Sequence, residues 1–206
     1  MLQYRTIDDE ILELLKTLQT VPELHNMRLV GGTALALQIG HRKSVDIDLF
    51  GKLKVDKYKL SEILNSLGSI KTLQNSGSIN IYLINNIKVD IVNYPYAWLN
   101  EPIETKNIKL AGLPDIAAMK FSAITGRGTK KDFIDLYFLL NRYSLTEIFS
   151  FYNNKFPDGS ELLVLKSLLY FDDAEGDDMP IMFKNIEWPA IKSYIKAEVK
   201  NYIQSL

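Results

Sequence analysis

The chain has 206 residues, which include 24 lysines and arginines, 25 aspartates and glutamates and no cysteine, and its formal net charge is −1. This length suffices for one good hydrophobic core or two small ones. A charge this close to zero argues against a protein that coats nucleic acid non-specifically, and the lack of cysteine excludes disulfides and thiolate metal sites. No apolar run is long enough to span a membrane and the amino terminus lacks a signal-peptide pattern, so we expect a cytoplasmic protein without a membrane partner.

The first predicted elements are a helix, a strand and a glycine turn. Apolar residues at helical spacing predict a helix over 8–19, and a short apolar run predicts a strand over 27–30. Gly31 and Gly32 then form a turn, and Thr33 is predicted to be the N-cap of a short helix that ends at Gly40. Such a turn presents free N–H groups and the positive end of the helix dipole to an anion, and a triphosphate suits this geometry. The structural alternative is a tight turn in which the glycines only supply positive φ angles.

Three aspartates follow at alternating strand positions. In the predicted strand 45–50 the apolar residues at 45, 47 and 49 share one face, so Asp46 and Asp48 share the other. Asp90 lies in a second alternating segment, 87–92, and a neighbouring strand would bring it beside the first pair. Three such carboxylates suit magnesium or manganese, and the third can act as a general base. Taken alone, the Asp-x-Asp pair could also be an ordinary solvated strand face.

Helices and strands share the chain, which predicts an α+β (mixed α/β) fold. After a helix from about 57 to 67, strands are predicted over 70–74, 79–84 and 87–94, and Asn85 and Asn86 form a hairpin turn between the last two. From Pro114 onward the pattern is helical, with helices over 114–125, from 129, over 161–170 and over 190–204. We therefore predict a sheet domain over 1–111 and a helical lobe over 112–206 that completes the active-site cleft.

Several motifs together carry a resemblance to a known family. They are the segments 29–37 and 40–50, a lysine helix at 117–120, and an Arg/Lys-Asp-x-x-Asp-Leu helix within 127–136. This combination resembles the nucleotidyltransferase toxins of the AbiEii/AbiGii abortive-infection family, which belong to the DNA polymerase β-like nucleotidyltransferase superfamily. The resemblance covers roughly residues 25–142, and it implies a polymerase β-like sheet domain followed by a helical lobe.

The resemblance also implies an activity. It predicts a magnesium-dependent nucleotidyltransferase that moves a nucleoside monophosphate from an NTP to an acceptor hydroxyl. The acceptor would be an RNA end such as that of tRNA, and the protein would be the toxin of a bacterial toxin–antitoxin or phage-defence pair with a cognate antitoxin. Two alternatives stay open: transfer to a protein or a small molecule, and an inert nucleotide-binding or protein-binding module of the same fold.

Site residues are assigned by matching these motifs. The predicted catalytic residues are Asp46, Asp48, Asp90 and Lys120, and the three aspartates are also the predicted metal ligands. The predicted nucleotide-binding residues are Gly31, Gly32, Thr33, Arg42, Lys120, Arg127, Asp132 and Asp135.

Some of these assignments have structural alternatives. Lys120 could be a solvated lysine on an amphipathic helix, and Arg42 could serve only loop solubility. Asp132 could be an ordinary carboxylate in the first turn of a helix. Asp135 could orient Lys120 or Arg127, or form a structural ion pair. The acidic segment 172–178 is predicted to be an exposed linker or a partner-binding loop.

Overall fold

The computed structural model describes residues 1–105 and 107–205. The chain forms two compact units, each with its own core. The first, which we call the sheet unit, consists of residues 1–40, 44–96 and 101–111. The second, which we call the helical unit, consists of residues 41–43, residues 97–100 and the chain from residue 112 onward. The predicted mixture of helices and strands is confirmed.

The sheet unit contains a sheet of seven described strands. They are β1 (Arg28–Leu29), β2 (Ile47–Gly51), β3 (Ile70–Ser76), β4 (Ile79–Ile84), β5 (Ile87–Asn93), β6 (Ile103–Thr105) and β7 (Ile108–Leu110). Their order across the sheet is β3-β4-β5-β2-β1-β7-β6. The pairs β2–β5 and β1–β7 are parallel, and the other neighbours are antiparallel. The same unit holds a short 3₁₀ turn (Tyr4–Thr6) and three helices, α1 (Asp9–Thr20), α2 (Gly31–Ile39) and α3 (Lys57–Asn65).

The helical unit contains the remaining described helices. They are α4 (Leu113–Gly126), α5 (Lys130–Leu140), α6 (Leu145–Lys155), α7 (Glu161–Leu168), α8 (Asp172–Glu175) and α9 (Trp188–Ser205). Their core is rich in aromatic contacts, such as the stacked rings of Phe149 and Tyr202 at 4.7 Å between centroids. Across the described chain, no helix has both the length and the apolar character needed to cross a bilayer.

The two faces of the central strands differ sharply. Ile47, Leu49, Val89 and Ile91 are fully buried on one face, because the period of two sends alternate side chains into the core. The residues between them, on β2 and β5, are only partly buried. The hairpin between β4 and β5 is confirmed, since Asn85 and Asn86 both have the positive φ angles expected of such a turn (49° and 66°).

Two local predictions are wrong. The strand β2 begins at Ile47 instead of Val45, whose side chain is half exposed, so Asp46 lies in the loop before the strand. The helix α2 begins at Gly31 with Val30 as its N-cap, and Thr33 therefore lies inside the first turn. Its end is as predicted, because Gly40 adopts the left-handed conformation that terminates many helices.

A buried ion pair fixes a segment that the sequence places in the first predicted domain. Asp115 of α4 and Lys155 of α6 lie 2.7 Å apart, and both side chains are fully buried. The Lys155 ammonium also donates to the Ala97 carbonyl (3.0 Å) and lies 4.5 Å from the centre of the Trp98 ring. Asp115 in turn accepts a hydrogen bond from the Leu99 N–H (3.0 Å). These contacts explain why this segment belongs to the helical unit.

Candidate active site

The glycine turn lies directly against Asp48. The Val30 N–H donates to the Asp48 carbonyl at 2.9 Å, which joins the turn to β2. Gly31 has a φ of +67°, and a Cβ at this position would lie 2.2 Å from the Asp48 carboxylate oxygen Oδ2. Only glycine allows both the backbone angle and this close approach. The predicted phosphate-binding turn and one predicted catalytic carboxylate are therefore parts of one site.

Thr33 holds the loop that carries Asp46. Its side chain is fully buried, and its hydroxyl donates to the Asp46 carbonyl and lies 2.9 Å from the Ser44 hydroxyl. Because the hydroxyl is committed to this loop, Thr33 supports the site in this structure by fixing the backbone at Asp46. Its predicted contact with the nucleotide stays a prediction.

Asp48 and Asp90 are neighbours across the parallel pair β2–β5. They are register partners, so their side chains leave the sheet on the same face, roughly 4.8 Å apart at the backbone. The alternating pattern predicted that Asp90 lies beside Asp48, and the strand register confirms this. A role for Lys88 was not predicted, and its ammonium lies 2.6 and 2.8 Å from the two carboxylate oxygens of Asp90. The signal was available, because residues two apart on a strand share a face.

The fit of this site to a divalent cation depends on Asp48 and Asp90. Among the described residues, no group of three acidic or histidine side chains is arranged to hold a metal ion. Asp46 precedes the strand, and the carboxylate of Asp90 forms an ion pair with Lys88. Magnesium is nevertheless commonly held by one or two carboxylates together with substrate phosphates, so the donor chemistry of Asp48 and Asp90 fits the ion.

The remaining predicted residues form a cluster in the helical unit, centred on Asp135. Arg42 contacts Asp135 with both prongs of its guanidinium, Nε at 2.7 Å and Nη2 at 2.8 Å. Lys120 Nζ lies 2.5 Å from the same carboxylate, and His41 Nε2 lies 2.7 Å from it. All four side chains are at most 5% exposed. A solvated lysine at 120 is therefore the wrong alternative, and Arg42 is likewise not a loop residue that serves only solubility.

Asp132 forms the other half of this cluster. Its carboxylate accepts from Lys120 (2.9 Å), from Arg127 Nε (2.9 Å) and from the Thr129 hydroxyl (2.7 Å). Thr129 is the N-cap of α5, as predicted, so Asp132 also stands in the first turn of that helix. Arg127 keeps two thirds of its side chain exposed while it holds Asp132. The assignment of this cluster to nucleotide binding stays a prediction.

In this cluster, charge pairing decides the direction in which the pKa values of Asp135 and Lys120 shift, and burial decides it for His41. Burial alone would raise the pKa of Asp135, but the cations of Arg42 and Lys120 hold that pKa well below its ordinary value. Burial would likewise lower the pKa of Lys120, but the carboxylates of Asp135 and Asp132 raise it. Burial lowers the pKa of His41, and the hydrogen bond to Asp135 only partly opposes this. Lysine and aspartates are therefore charged at neutral pH, and His41 is neutral with Nε2 as the donor.

The acidic segment 172–178 is exposed except at Ala174, as predicted, and hydrogen bonds anchor it within the helical unit. Residues 172–175 form α8. Glu175 accepts from the Trp188 indole N–H at 3.0 Å and also pairs with Lys192. Asp177 accepts from the Lys130 N–H at 2.9 Å, which ties the segment to the start of α5.

A glycine turn beside paired carboxylates on a mixed sheet is typical of one class of protein, the nucleotidyltransferases. Residues 13–201 match the family described as the nucleotidyl transferase AbiEii toxin of a type IV TA system, where TA stands for toxin–antitoxin. The chain belongs to this family and is a nucleotidyltransferase.

Comparisons with individual proteins agree with this assignment. An uncharacterized protein of Aquifex aeolicus is 32% identical over 209 residues, which cover 98% of this chain and all of that protein. MenT4, a nucleotidyltransferase toxin from Mycobacterium tuberculosis, is 15% identical, with a TM-score of 0.60 over 90% of this chain and 79% of its own. JHP933 from Helicobacter pylori is 16% identical, with a TM-score of 0.53 over 97% of this chain and 96% of the JHP933 chain. At these identities the two solved structures show a shared fold, and the predicted fold class, a nucleotidyltransferase sheet domain followed by helices, is confirmed.

Substitution of Gly31 by alanine tests the contact between the turn and Asp48. We expect Gly31→Ala to lower transfer activity by about 100-fold or more, because the new methyl group must displace the Asp48 carboxylate. The matched control is Gly77→Ala, since Gly77 also has a positive φ (+57°) but nothing within 4 Å of the added Cβ. Both variants should lose about 1–2 kcal/mol of stability from backbone strain. Equal transfer activity in the two variants would show that the close approach of residue 31 to Asp48 does not matter for transfer.

The buried histidine makes thermal stability depend on pH. Because the folded-state pKa of His41 lies below 6.5, the unfolded chain takes up a proton first as the pH falls, and stability is lost as the pH drops below about 6.5. The groups that face its ring are Asp135, Arg42 and Lys120. The depressed pKa of Asp135 adds a second loss only below about pH 3.8.

His41→Gln should remove the first of these losses, since a glutamine amide can donate to Asp135 from the position of Nε2. We expect the midpoint of thermal unfolding to fall between pH 7 and pH 5 in the wild type and to change much less in His41→Gln. The control is His25→Gln, which alters an exposed histidine and should keep the wild-type dependence. A wild-type slope in His41→Gln would show that the histidine is not the titrating group.

Proposed function

We propose that the protein transfers a nucleoside monophosphate from an NTP to a hydroxyl at an RNA end, with magnesium bound at Asp48 and Asp90. The observation that carries this proposal is the strand register that places Asp48 beside Asp90, with the glycine turn against Asp48. The N–H groups at the start of α2 and the helix dipole suit the triphosphate. A bound divalent cation would neutralise phosphate charge and polarise the α-phosphate.

The chemical step is an in-line displacement at the α-phosphorus. The acceptor oxygen forms a new bond to phosphorus, the bond to the bridging oxygen breaks, and pyrophosphate leaves. Asp90 accepts the proton of the acceptor hydroxyl, and Lys88 holds its carboxylate in place through the ion pair. Asp48 lies on the side of the turn and would hold the cation, while Thr33 fixes the backbone of Asp46 close by. Holding both reactants in line supplies much of the rate enhancement.

The acceptor and the biological role rest on family membership. A toxin of a toxin–antitoxin system acts on a component the cell needs, and an RNA end such as that of tRNA supplies a hydroxyl for transfer. A cognate antitoxin is the expected protein partner. Transfer to a protein hydroxyl or to a small molecule is the second candidate. The intact pair Asp48 and Asp90 argues against an inert binding module, which would have no need of both carboxylates.

Labelled-nucleotide transfer tests the proposal directly. Purified protein is incubated with each α-³²P-NTP, Mg²⁺ and total bacterial RNA, and the products are separated on a denaturing gel. We expect label in a discrete RNA band with the wild type. In Asp48→Asn we expect a loss of about 10³-fold or more, because the variant lacks one of the two metal-binding carboxylates.

The matched control is Asp56→Asn. Asp56 caps α3 by accepting from two backbone N–H groups, and asparagine caps helices equally well, so activity should stay at the wild-type level. Circular dichroism of each variant reports whether the fold is kept. An active Asp48→Asn protein would overturn the assignment of Asp48, and label on protein instead of RNA would identify the second candidate.

A further inference from the structure

We propose that the sheet face beside Asp48 and Asp90 binds the unpaired bases next to the reacting end of the acceptor RNA. The bases would stack on Phe50 and Tyr96, and the buried ring of Tyr94 packs between these two side chains. We call the three side chains the aromatic strip. This inference rests on the proposed function, because it names where the acceptor lies at the same site.

Strand geometry puts the strip on the same face as the carboxylates. Phe50 follows Asp48 by two residues on β2, and Tyr94 continues the alternation that begins at Asp90 on β5. Although β5 ends one residue earlier, the Tyr94 N–H still donates to the Gly51 carbonyl at 2.9 Å, which extends the pairing. The strip therefore starts roughly 7 Å along the strand from Asp48.

The three rings form a continuous series. The ring centroids of Phe50 and Tyr94 lie 5.3 Å apart, and those of Tyr94 and Tyr96 lie 5.2 Å apart. Tyr94 is only 8% exposed and supports its neighbours, Phe50 is partly exposed, and Tyr96 is 46% exposed, so Tyr96 offers the most accessible ring. Stacking of successive bases on such side chains is a common way in which proteins bind single-stranded nucleic acid, because every base presents a π-face.

The surroundings of the strip are apolar and accessible. Ile81 and Ile79 of β4 are the register partners of Asp90 and Val92, so they share this face, and Ile79 is 41% exposed. On the opposite face of the same strands, Tyr82, Ile84, Val89 and Ile91 are fully buried. An accessible apolar surface that continues from catalytic carboxylates is more informative than scattered exposed side chains, which most proteins have.

The order of the strands places the acceptor on this side. The glycine turn follows β1, and β5, which carries Asp90, lies beyond β2 on the other side of Asp48. An acceptor hydroxyl that gives its proton to Asp90 therefore approaches over β5 and β4, where the isoleucines lie and beside which Tyr94 and Tyr96 continue the chain from β5. Lys71 of β3 is exposed on the same face by register and supplies positive charge for the RNA backbone.

The test measures binding of a short, unstructured, fluorescein-labelled RNA by fluorescence anisotropy, with neither NTP nor metal present. We expect Tyr96→Ala to weaken RNA binding about 5- to 150-fold, which corresponds to the roughly 1–3 kcal/mol measured for stacking of one base. Tyr96→Phe keeps the ring and should bind like the wild type. Tyr58→Ala is the matched control, because Tyr58 is a 77% exposed tyrosine on α3 of the same unit and should not matter.

Two readouts separate this inference from the proposed function. Displacement of a fluorescent NTP analogue should give the same affinity in Tyr96→Ala and the wild type, since the ring is assigned to the acceptor. Absence of RNA binding by the wild type, or equal binding by Tyr96→Ala and Tyr58→Ala, would overturn the strip even if RNA is labelled in the transfer assay. RNA binding that depends on Tyr96, without any transfer to RNA, would support the aromatic strip as an RNA-binding surface and contradict the proposed function.

Discussion

The parallel pairing of β2 with β5 is the constraint on which the candidate site depends. It makes Asp48 and Asp90 register partners, and the buried residues on the other face hold that register. A slip of β2 by one residue would turn Ile47 and Leu49 toward solvent and bury Asp48 on the face opposite Asp90. Hydrophobic burial on one face thus positions two mutually repelling carboxylates on the other. Lys88 offsets part of this repulsion through its ion pair with Asp90, and the proposed divalent cation would offset more of it.

The helical unit contains a second, very different arrangement of charge. Arg42, Lys120 and Arg127 surround Asp132 and Asp135, so three cations face two buried carboxylates. Removing one member of such a buried set leaves an uncompensated charge, which typically costs about 3–5 kcal/mol. Lys120, Asp132 and Asp135 therefore stabilise the fold, in addition to any contact that they make with the nucleotide. Substitutions there need a stability measurement beside any activity measurement.

Local sequence signals predicted the parts of the site that depend on local geometry. Strand alternation and the Asn85-Asn86 turn each act over a few residues, and both predicted the correct element, whereas the glycine pair, predicted as a turn, forms the first two residues of α2. The hydrogen bond from Thr33 to Asp46 and the contacts of His41 with Asp135 join residues 13 and 94 positions apart, which no periodicity reveals. The strands β6 and β7 have three residues each and are too short for a pattern. The helix α6 was missed although its capping box, Ser144 and Glu147, is a readable signal.

The most direct test of the paired carboxylates is metal binding measured without catalysis. Mn²⁺ is titrated into the protein with a non-hydrolysable NTP analogue, and free Mn²⁺ is followed by electron paramagnetic resonance. We expect the wild type and Asp56→Asn to bind Mn²⁺ tightly, and Asp48→Asn and Asp90→Asn to bind Mn²⁺ at least about tenfold more weakly. Unchanged Mn²⁺ affinity in both Asp48→Asn and Asp90→Asn would contradict the claim that the β2–β5 register builds the metal site.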